Sequence, residues 1–147
     1  MIKKSSPFLL SLVIGLVMLG ACSDNLMDEL PGSIATFVNT YFPGLGVKHY
    51  DFKDNVYSVT VDGGTSVNFN INMAWTLVDG NGSRLPQMFV TDQLPPGLLQ
   101  YLQSMSLTDS VYAVSRDDTS YRVTLDDTVF SYNIADGKIT YPDGRIY

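Results

Sequence analysis

The sequence has one cysteine and one histidine, and its only glutamate is Glu29. A single cysteine cannot form an intrachain disulfide, and one cysteine with one histidine cannot supply the ligands of a structural zinc site. The same scarcity argues against catalysis by a cysteine–histidine pair. We therefore expect no metal site and no cofactor, and no catalytic residue can be assigned.

Basic residues are also few, nine against 15 acidic ones, which gives a formal net charge of −6. Nucleic-acid binding without sequence preference needs a basic surface that displaces counterions from phosphates. We therefore expect no nucleic-acid partner. Charged residues make up 16% of the 147 positions and aromatic residues 12%, a composition typical of one folded domain rather than a disordered chain.

No apolar run in the sequence is long enough to span a bilayer. The run at residues 8–19 falls short of the about 20 residues that a transmembrane helix needs. Because Lys3 and Lys4 precede it, the run is typical of a signal peptide, which we predict over residues 1–21.

The predicted signal peptide ends at residues 19–22 (Leu-Gly-Ala-Cys), which resemble a bacterial lipobox. The resemblance implies cleavage before Cys22 and acylation of its thiol and new amino group. Several acyl chains anchor a protein stably, so lipid would be the only membrane contact, followed by a polar tether through residue 29. Ser23 is not the aspartate that retains lipoproteins at the inner membrane, so we predict the outer membrane, on either side. An ordinary cleaved signal peptide is the alternative.

Residues 30–147 form one predicted domain made of two repeats, about 30–83 and 94–147. Matching apolar residues recur at a constant spacing. The pairs include Leu30 and Leu94, Ile34 and Leu98, Phe37 and Tyr101, Val38 and Leu102, Tyr57 and Tyr121, and Val59 and Val123. Such agreement over a helical stripe and a strand indicates two copies of one unit.

Each repeat begins with helical spacing and continues with alternation. Apolar residues follow one helix face over 34–41 and 98–105, and they alternate with polar residues over 56–61, 66–71 and 121–125. Short turns between the strands imply antiparallel pairing. The pattern predicts an α+β fold in which each unit has one helix and three or four strands, with one sheet and both helices on one face.

The buried face of that sheet is predicted from the alternation. It comprises Tyr57, Val59, Val61, Val67, Phe69, Ile71, Trp75, Tyr121, Val123, Leu125, Phe130 and Tyr132. The segment 84–93 joins the repeats, and its apolar trio Met88-Phe89-Val90 is expected to pack under the sheet.

Several of these residues resemble the PepSY-like family, also called β-lactamase-inhibitor-like, which occurs in envelope proteins of Bacteroidetes. They are Leu30-Pro31, Ile34, Phe37, Tyr41-Phe42-Pro43-Gly44, Tyr57, Val59, Gly63-Gly64, Phe69, Trp75, Leu85-Pro86 and Leu94-Pro95. The resemblance covers about residues 30–142 and implies a tandem fold similar to β-lactamase inhibitor protein. It implies no assigned activity, and the inhibitor's binding residues do not map onto this chain.

The opposite face of the predicted sheet is the candidate binding surface. Alternation places uncharged hydrogen-bonding side chains and one arginine there. The candidates are Ser58, Thr60, Asn68, Asn70, Arg122, Thr124, Ser131 and Asn133. This face is either an ordinary solvent face or a docking surface for an unknown envelope or secreted protein.

The weaker motifs each have a structural explanation. His49 and Asp51 lie on one face of a predicted strand, but the sequence contains no G-x-S-x-G nucleophile elbow whose serine such a pair could activate. Residues 79–83 begin like a calcium loop, but Val90 stands where the final glutamate would be, so a turn is expected. Ser110 and Thr128 follow aspartate and precede valine, which resembles the O-glycosylation motif of Bacteroidetes.

The sequence thus favours a non-enzymatic, lipid-anchored envelope module that binds, or inhibits, a secreted or envelope protein such as a peptidase. The alternative is a structural or accessory lipoprotein that recognises peptide or glycan in an envelope complex. A hydrolase of unrecognised type is the third hypothesis, and it would require a cleft that contains acidic groups with perturbed pKa values.

Overall fold

The computed structural model describes residues 25–147, so the predicted signal peptide and Cys22 lie outside the described residues. These residues form an eight-stranded antiparallel sheet, in which the strands are ordered as in the chain, and three α-helices. The helices are α1 (Gly32–Tyr41), α2 (Gln87–Gln93) and α3 (Pro96–Ser104). The strands are β1 (Val47–Lys53), β2 (Val56–Val61), β3 (Ser66–Phe69), β4 (Trp75–Asp79), β5 (Ala113–Arg116), β6 (Ser120–Thr124), β7 (Val129–Asn133) and β8 (Ile139–Thr140). The α+β prediction is confirmed.

The two predicted helices are present as α1 and α3. Pro96 begins α3, where its missing N–H costs no hydrogen bond, and α1 ends shortly before Pro43. The apolar stripe of each helix packs on the core, with Ile34 and Leu98 fully covered. Met105, predicted as the last residue of the second stripe, lies beyond α3 and is 50% exposed, so the prediction for it was wrong. No helix within residues 25–147 has the length and apolar character needed to cross a membrane.

Alternating burial follows the strands as predicted, with two exceptions. The strand predicted over 66–71 ends at Phe69, so Ile71 lies in the following turn and is 57% exposed rather than buried. Tyr57 is only half-buried, and its ring stacks on the exposed Phe52 at a centroid distance of 4.3 Å. Ile71 was misassigned because alternation alone does not show where a strand stops, whereas Tyr57 lies inside β2, next to Phe52 of the edge strand.

Helix α2 is the element that the periodicity did not predict. Phe89 and Val90 are fully buried, as expected for the joining segment, whereas Met88 is 54% exposed and the prediction for it was wrong. The Phe89 ring contacts the rings of Phe37 and Trp75 edge to face, at centroid distances of 6.1 and 5.1 Å. The joining segment therefore supplies core residues rather than a linker.

Residues 25–29, assigned from the sequence to the polar tether, pack against the first strand. The Asn25 side-chain oxygen accepts hydrogen bonds from the N–H groups of Val47 and Met27, both at 3.0 Å. The Leu26 N–H donates to the Val47 carbonyl. The end of β1 at Val47 is therefore covered by this segment.

Tyr101 links α3 to the end of the sheet, and we expect its ionisation to control alkaline stability. Its hydroxyl lies 2.6 Å from that of Tyr141, and burial, followed by this hydrogen bond, raises the pKa of Tyr101 well above its usual 10.0. The folded protein therefore holds this proton more tightly than the unfolded chain. The resulting stability is complete below pH 10 and is lost as the pH rises toward the folded-state pKa.

The variant Tyr101→Phe should show a shallower loss of stability above pH 10 than the wild type. At neutral pH it should cost about 1 kcal/mol for the lost hydrogen bond. Urea unfolding at neutral and alkaline pH measures both effects. Tyr112→Phe is the control, since that hydroxyl contacts only the exposed Arg84, at 3.4 Å, among the hydrogen-bond partners in residues 25–147. An alkaline decline in Tyr101→Phe as steep as in the control would contradict the assignment.

Candidate functional site

The strand residues that alternate with the buried ones form a continuous polar face across all eight strands. One row of register partners runs through Asp51, Ser58, Asn68, Leu77, Ser115, Arg122, Ser131 and Thr140. A second row runs through His49, Thr60, Ser66, Asp79, Ala113, Thr124 and Val129. We call these two rows the polar face. Most of their side chains are half-buried or exposed and uncharged.

Six of the eight candidate residues are brought together on the polar face. Ser58 lies directly opposite Asn68, and Arg122 lies between Ser115 and Ser131. Thr60 and Thr124 complete the set in the second row. Their proposed binding role stays a prediction, but the register brings them onto one surface.

Asn70 and Asn133 lie at strand ends, outside the two rows. Asn70 directly follows β3, whereas Asn133 is the last residue of β7, pairs with Ser120 and shares the face of Ser131, as predicted. The Asn70 side-chain oxygen accepts hydrogen bonds from the N–H groups of Asn72 and Ala74, at 2.9 and 3.1 Å. The Asn133 side-chain oxygen makes the equivalent turn with Ala135 and Asp136. These oxygens are committed to the backbone, which gives both asparagines a structural role in turn formation.

Arg122 is the central charged group of the polar face. Its guanidinium has no hydrogen-bond or ion-pair partner among residues 25–147, and the residue is exposed. A cavity of about 230 Å³ borders it and is lined by Ser115, Arg116, Asp117, Ser120, Arg122 and Ser131. A second cavity, of about 310 Å³, borders it on the side of β7 and β8. Within the described part of the chain, the Arg122 guanidinium is therefore available to an external group.

Arg116 differs from Arg122 because its guanidinium is already engaged. It lies over the Trp75 ring, 3.9 Å from the centroid, and its Nε donates to the Trp75 carbonyl oxygen at 2.7 Å. Its Nη1 lies 3.4 Å from the Tyr121 hydroxyl. Sequence reasoning missed this residue, because its partner Trp75 is 41 positions away and β5 was not recognised as a strand.

Asp117 lines the smaller cavity but is occupied by its own turn. Its Oδ1 accepts hydrogen bonds from the N–H and hydroxyl of Thr119 and from the N–H of Ser120, at 2.8 to 2.9 Å. These bonds hold the pKa of Asp117 below its usual value. The negatively charged carboxylate therefore stabilises the turn that joins β5 to β6.

The other candidate residues are not assembled into a reactive centre. His49 Nε2 lies 3.6 Å from Asp51 Oδ2, and their side chains are 60% and 50% exposed. No group of three potential metal ligands occurs within the described part of the chain. Asp79 accepts a hydrogen bond from the Asn81 N–H, so residues 79–83 form a turn held by the chain itself.

The two candidate glycosylation residues lie in turns next to strands. The Ser110 hydroxyl is 3.5 Å from Asp109 Oδ1, and the Thr128 carbonyl accepts a hydrogen bond from the Leu125 N–H. Both residues are half-buried. The arrangement does not test their modification, which stays a prediction.

Solved structures share this fold at low sequence identity. A protein of the DUF2874 family from Bacteroides vulgatus, named as a putative periplasmic protein, is 21% identical, with a TM-score of 0.60 over 82% of this chain and 90% of that one. A protein of Bacteroides thetaiotaomicron, named as a putative calcium-regulated periplasmic protein, is 22% identical, with a TM-score of 0.59 over 74% and 86%. A second B. vulgatus protein, named as periplasmic and of unknown function, is 16% identical, with a TM-score of 0.61 over 80% and 96%. These likenesses concern the fold.

No curated protein matches the chain. The family model described as "putative beta-lactamase-inhibitor-like, PepSY-like" matches residues 55–140, from the start of the second strand to the last strand. This match covers more than half of the sequence and most of the sheet. The chain therefore belongs to the PepSY-like family.

Proposed function

We propose that the protein is a lipid-anchored binding module of the bacterial envelope, held at the outer membrane through Cys22, and that its polar face docks a secreted or envelope protein. Membership of an inhibitor-like family supports a binding role. The periplasmic names of the solved neighbours and the lipobox at residues 19–22 support the location.

The observation that carries the proposal is the composition of the polar face. Between Asp51 at one edge and Thr140 at the other, the first row carries a single charge, on Arg122. Small uncharged hydrogen-bonding groups lose little free energy when a partner displaces their water, provided that the partner supplies new hydrogen bonds. A well-packed sheet also presents them without much loss of conformational entropy on binding.

We further propose that the two halves are copies of one unit and that α1 and α3 cover the same sheet face. Ile34 and Leu98 belong to one hydrophobic cluster together with strand residues such as Val59 and Val123. The equivalent turns at Asn70 and Asn133 support the repeat as well. This arrangement would leave the polar face uncovered along its length.

A protein ligand is favoured over a glycan by the position of the aromatic residues. Glycan sites stack sugar rings on exposed aromatic side chains, whereas Trp75, Tyr121 and Phe130 are buried, and no aromatic residue stands in either row of the polar face. A peptidase or other hydrolase is a partner that such a module could inhibit by covering its active site. An accessory role in an envelope complex is the alternative.

The test is affinity capture with the full-length chain, tagged beyond Tyr147, from envelope and secreted fractions of the source organism. The face variant carries Asn68→Asp and Ser131→Asp. The matched control, Asn39→Asp with Gln103→Asp, adds the same charge at exposed helix positions. We expect one dominant protein that the control retains and the face variant loses.

Capture that is lost equally in both variants, or no dominant protein, would contradict docking through the polar face. If the captured protein is a hydrolase, adding the purified module at equal concentration should lower its activity. Full activity in the presence of the bound module would contradict the inhibitor hypothesis and would leave the accessory role as the explanation.

A further inference from the structure

We propose that Arg122 and the hydroxyl groups beside it form a pocket for an acidic side chain of the partner protein. The inference rests on the proposed function and adds the chemistry of the group that is recognised. It concerns the cavity of about 230 Å³ that is lined by both register partners of Arg122.

Arg122 is placed to receive a ligand rather than to stabilise the fold. It lies on β6, a central strand, and its five N–H donors find no acceptor among residues 25–147. By contrast, Arg116 and Arg145 both donate to nearby groups of the chain, the Trp75 carbonyl and the Asp143 carboxylate. An arginine fork without an internal partner matches the two oxygens of a carboxylate.

Hydroxyl groups flank the Arg122 guanidinium on both sides. Ser115 and Ser131 are its direct register partners on β5 and β7, and side chains opposite each other in a sheet stand about 5 Å apart. Ser120 lines the same cavity. Each serine can donate one hydrogen bond, so the lining offers donors around the position that a carboxylate would occupy.

The charge of the lining fits a monoanion. Three charged residues line the cavity, Arg116, Asp117 and Arg122. The register pairs Arg116 with Tyr121 on the opposite face of the sheet, where its guanidinium lies over Trp75, so Arg122 supplies the guanidinium of this pocket. Asp117 Oδ1 accepts three hydrogen bonds within its own turn, which lower the pKa of this carboxyl, so the carboxylate is engaged by the turn rather than by Arg122. A single carboxylate matches the one positive charge of Arg122, whereas a phosphate dianion would bring a second, unpaired negative charge close to Asp117.

The carboxylate must be recognised locally, because the protein as a whole is acidic. With a net charge of −6, the chain offers no long-range attraction to an acidic partner. Arg122 would therefore act on the lifetime of the complex and on which side chain is accepted, rather than on the rate of encounter.

The experiment uses a probe peptide, acetyl-Gly-Ser-Asp-Ser-Gly-amide, titrated against the ¹⁵N-labelled full-length chain in detergent micelles. The Nε–H signal of Arg122 and the backbone N–H signals of Ser115 and Ser131 report on binding. We expect a saturable shift with a dissociation constant of about 1–10 mM, typical of one charged contact in an open pocket. The peptide with asparagine in place of aspartate should bind at least about tenfold more weakly.

Variants at Arg122 separate charge from geometry. Arg122→Gln should abolish the shifts at Ser115 and Ser131, and Arg122→Lys should weaken the binding about tenfold, because lysine lacks the planar fork. Arg84→Gln is the matched control, since Arg84 is an exposed arginine outside the polar face, and it should bind like the wild type.

Three results would overturn the inference: no saturable shift, equal binding of the asparagine peptide, or tighter binding of inorganic phosphate than of the aspartyl peptide. The outcome is separable from that of the capture experiment. A partner that is captured through the polar face while the aspartyl peptide fails to bind leaves the proposed function standing and removes the acidic pocket. Peptide binding without any captured partner supports a carboxylate pocket and contradicts the docking role.

Discussion

Replacing Phe89 with alanine should lower the free energy of unfolding by about 4 kcal/mol, since removal of a fully buried phenylalanine typically costs 3–5 kcal/mol. Phe89 is completely covered, and its ring contacts three aromatic rings edge to face. Its centroid lies 5.1 Å from that of Trp75, 5.8 Å from Tyr41 and 6.1 Å from Phe37. Alanine would leave a cavity and would end all three contacts.

The position of Phe89 makes a compensating collapse difficult. Its neighbours come from α1 and from β4, and their own side chains are fixed by further contacts. Trp75 Nε1 donates to Gln93 Oε1 at 2.9 Å, and Gln93 in turn donates to the Tyr41 hydroxyl. Movement into the vacated space would break these hydrogen bonds, so we expect the cost to lie within the range for a cavity that remains open.

Met88→Ala is the matched control, one position earlier on the same helix. Met88 is 54% exposed, so its truncation should change the stability by no more than about 0.5 kcal/mol. Urea unfolding followed by tryptophan fluorescence measures both variants, and an unchanged slope with denaturant would show that the same surface is exposed on unfolding. Equal losses in Phe89→Ala and Met88→Ala would mean that α2 does not pack as described.

The same segment shows why the sequence predicted only part of the fold. A stripe of apolar residues at helical spacing indicated α1 and α3, because each helix buries one face and exposes the other. Helix α2 has seven residues and two adjacent buried side chains, Phe89 and Val90, which is too short for a periodic pattern. This helix depends on the packing of Phe89 against residues that are distant in the sequence, and periodicity in a single sequence does not reveal such packing.

The polar face could be predicted from the alternation of side chains along each strand, but the ends of the strands could not. Side chains alternate strictly in a strand, so Ser58, Asn68 and Arg122 could be assigned to one face from their positions. Asn70 and Asn133 continue the alternation by one step, but each bonds the following turn with its side-chain oxygen. Hydrogen bonds between a side chain and the neighbouring backbone can end a strand in this way. They do not change the alternation of polar and apolar residues in the sequence, so the alternation does not show where the strand ends.

The cavity next to Arg122 could not be predicted, because it depends on pairing between distant strands. Ser115 lies on β5, a strand that the alternation did not reveal, and it becomes a neighbour of Arg122 only through the register of β5 with β6. The engagement of Arg116 with Trp75 follows from the pairing of β4 with β5 across the junction of the two halves. That junction is therefore where the sequence was least informative and where the structure adds most.

The junction of the two halves also gives the second large expected effect, at Gly80. The Gly80 N–H donates to the Tyr112 carbonyl at 2.8 Å, and its own carbonyl accepts from the Ser83 N–H at 3.1 Å. A Cβ at this position would overlap the Ser83 carbonyl oxygen and would lie 3.1 Å from that of Tyr112. Both atoms belong to the backbone, so no rotation of a side chain can relieve the contact.

Gly80→Ala should therefore lower the free energy of unfolding by about 3 kcal/mol, the upper end of the usual cost of overpacking. The matched control is Gly32→Ala at the start of α1, where no atom lies within 4 Å of the added Cβ. Because alanine restricts the unfolded chain, that control should be neutral or gain up to about 1 kcal/mol. Urea unfolding of the two variants measures the difference. Similar stabilities would show that the turn can relax without cost, and the two halves would then be joined less rigidly than the contact at Gly80 implies.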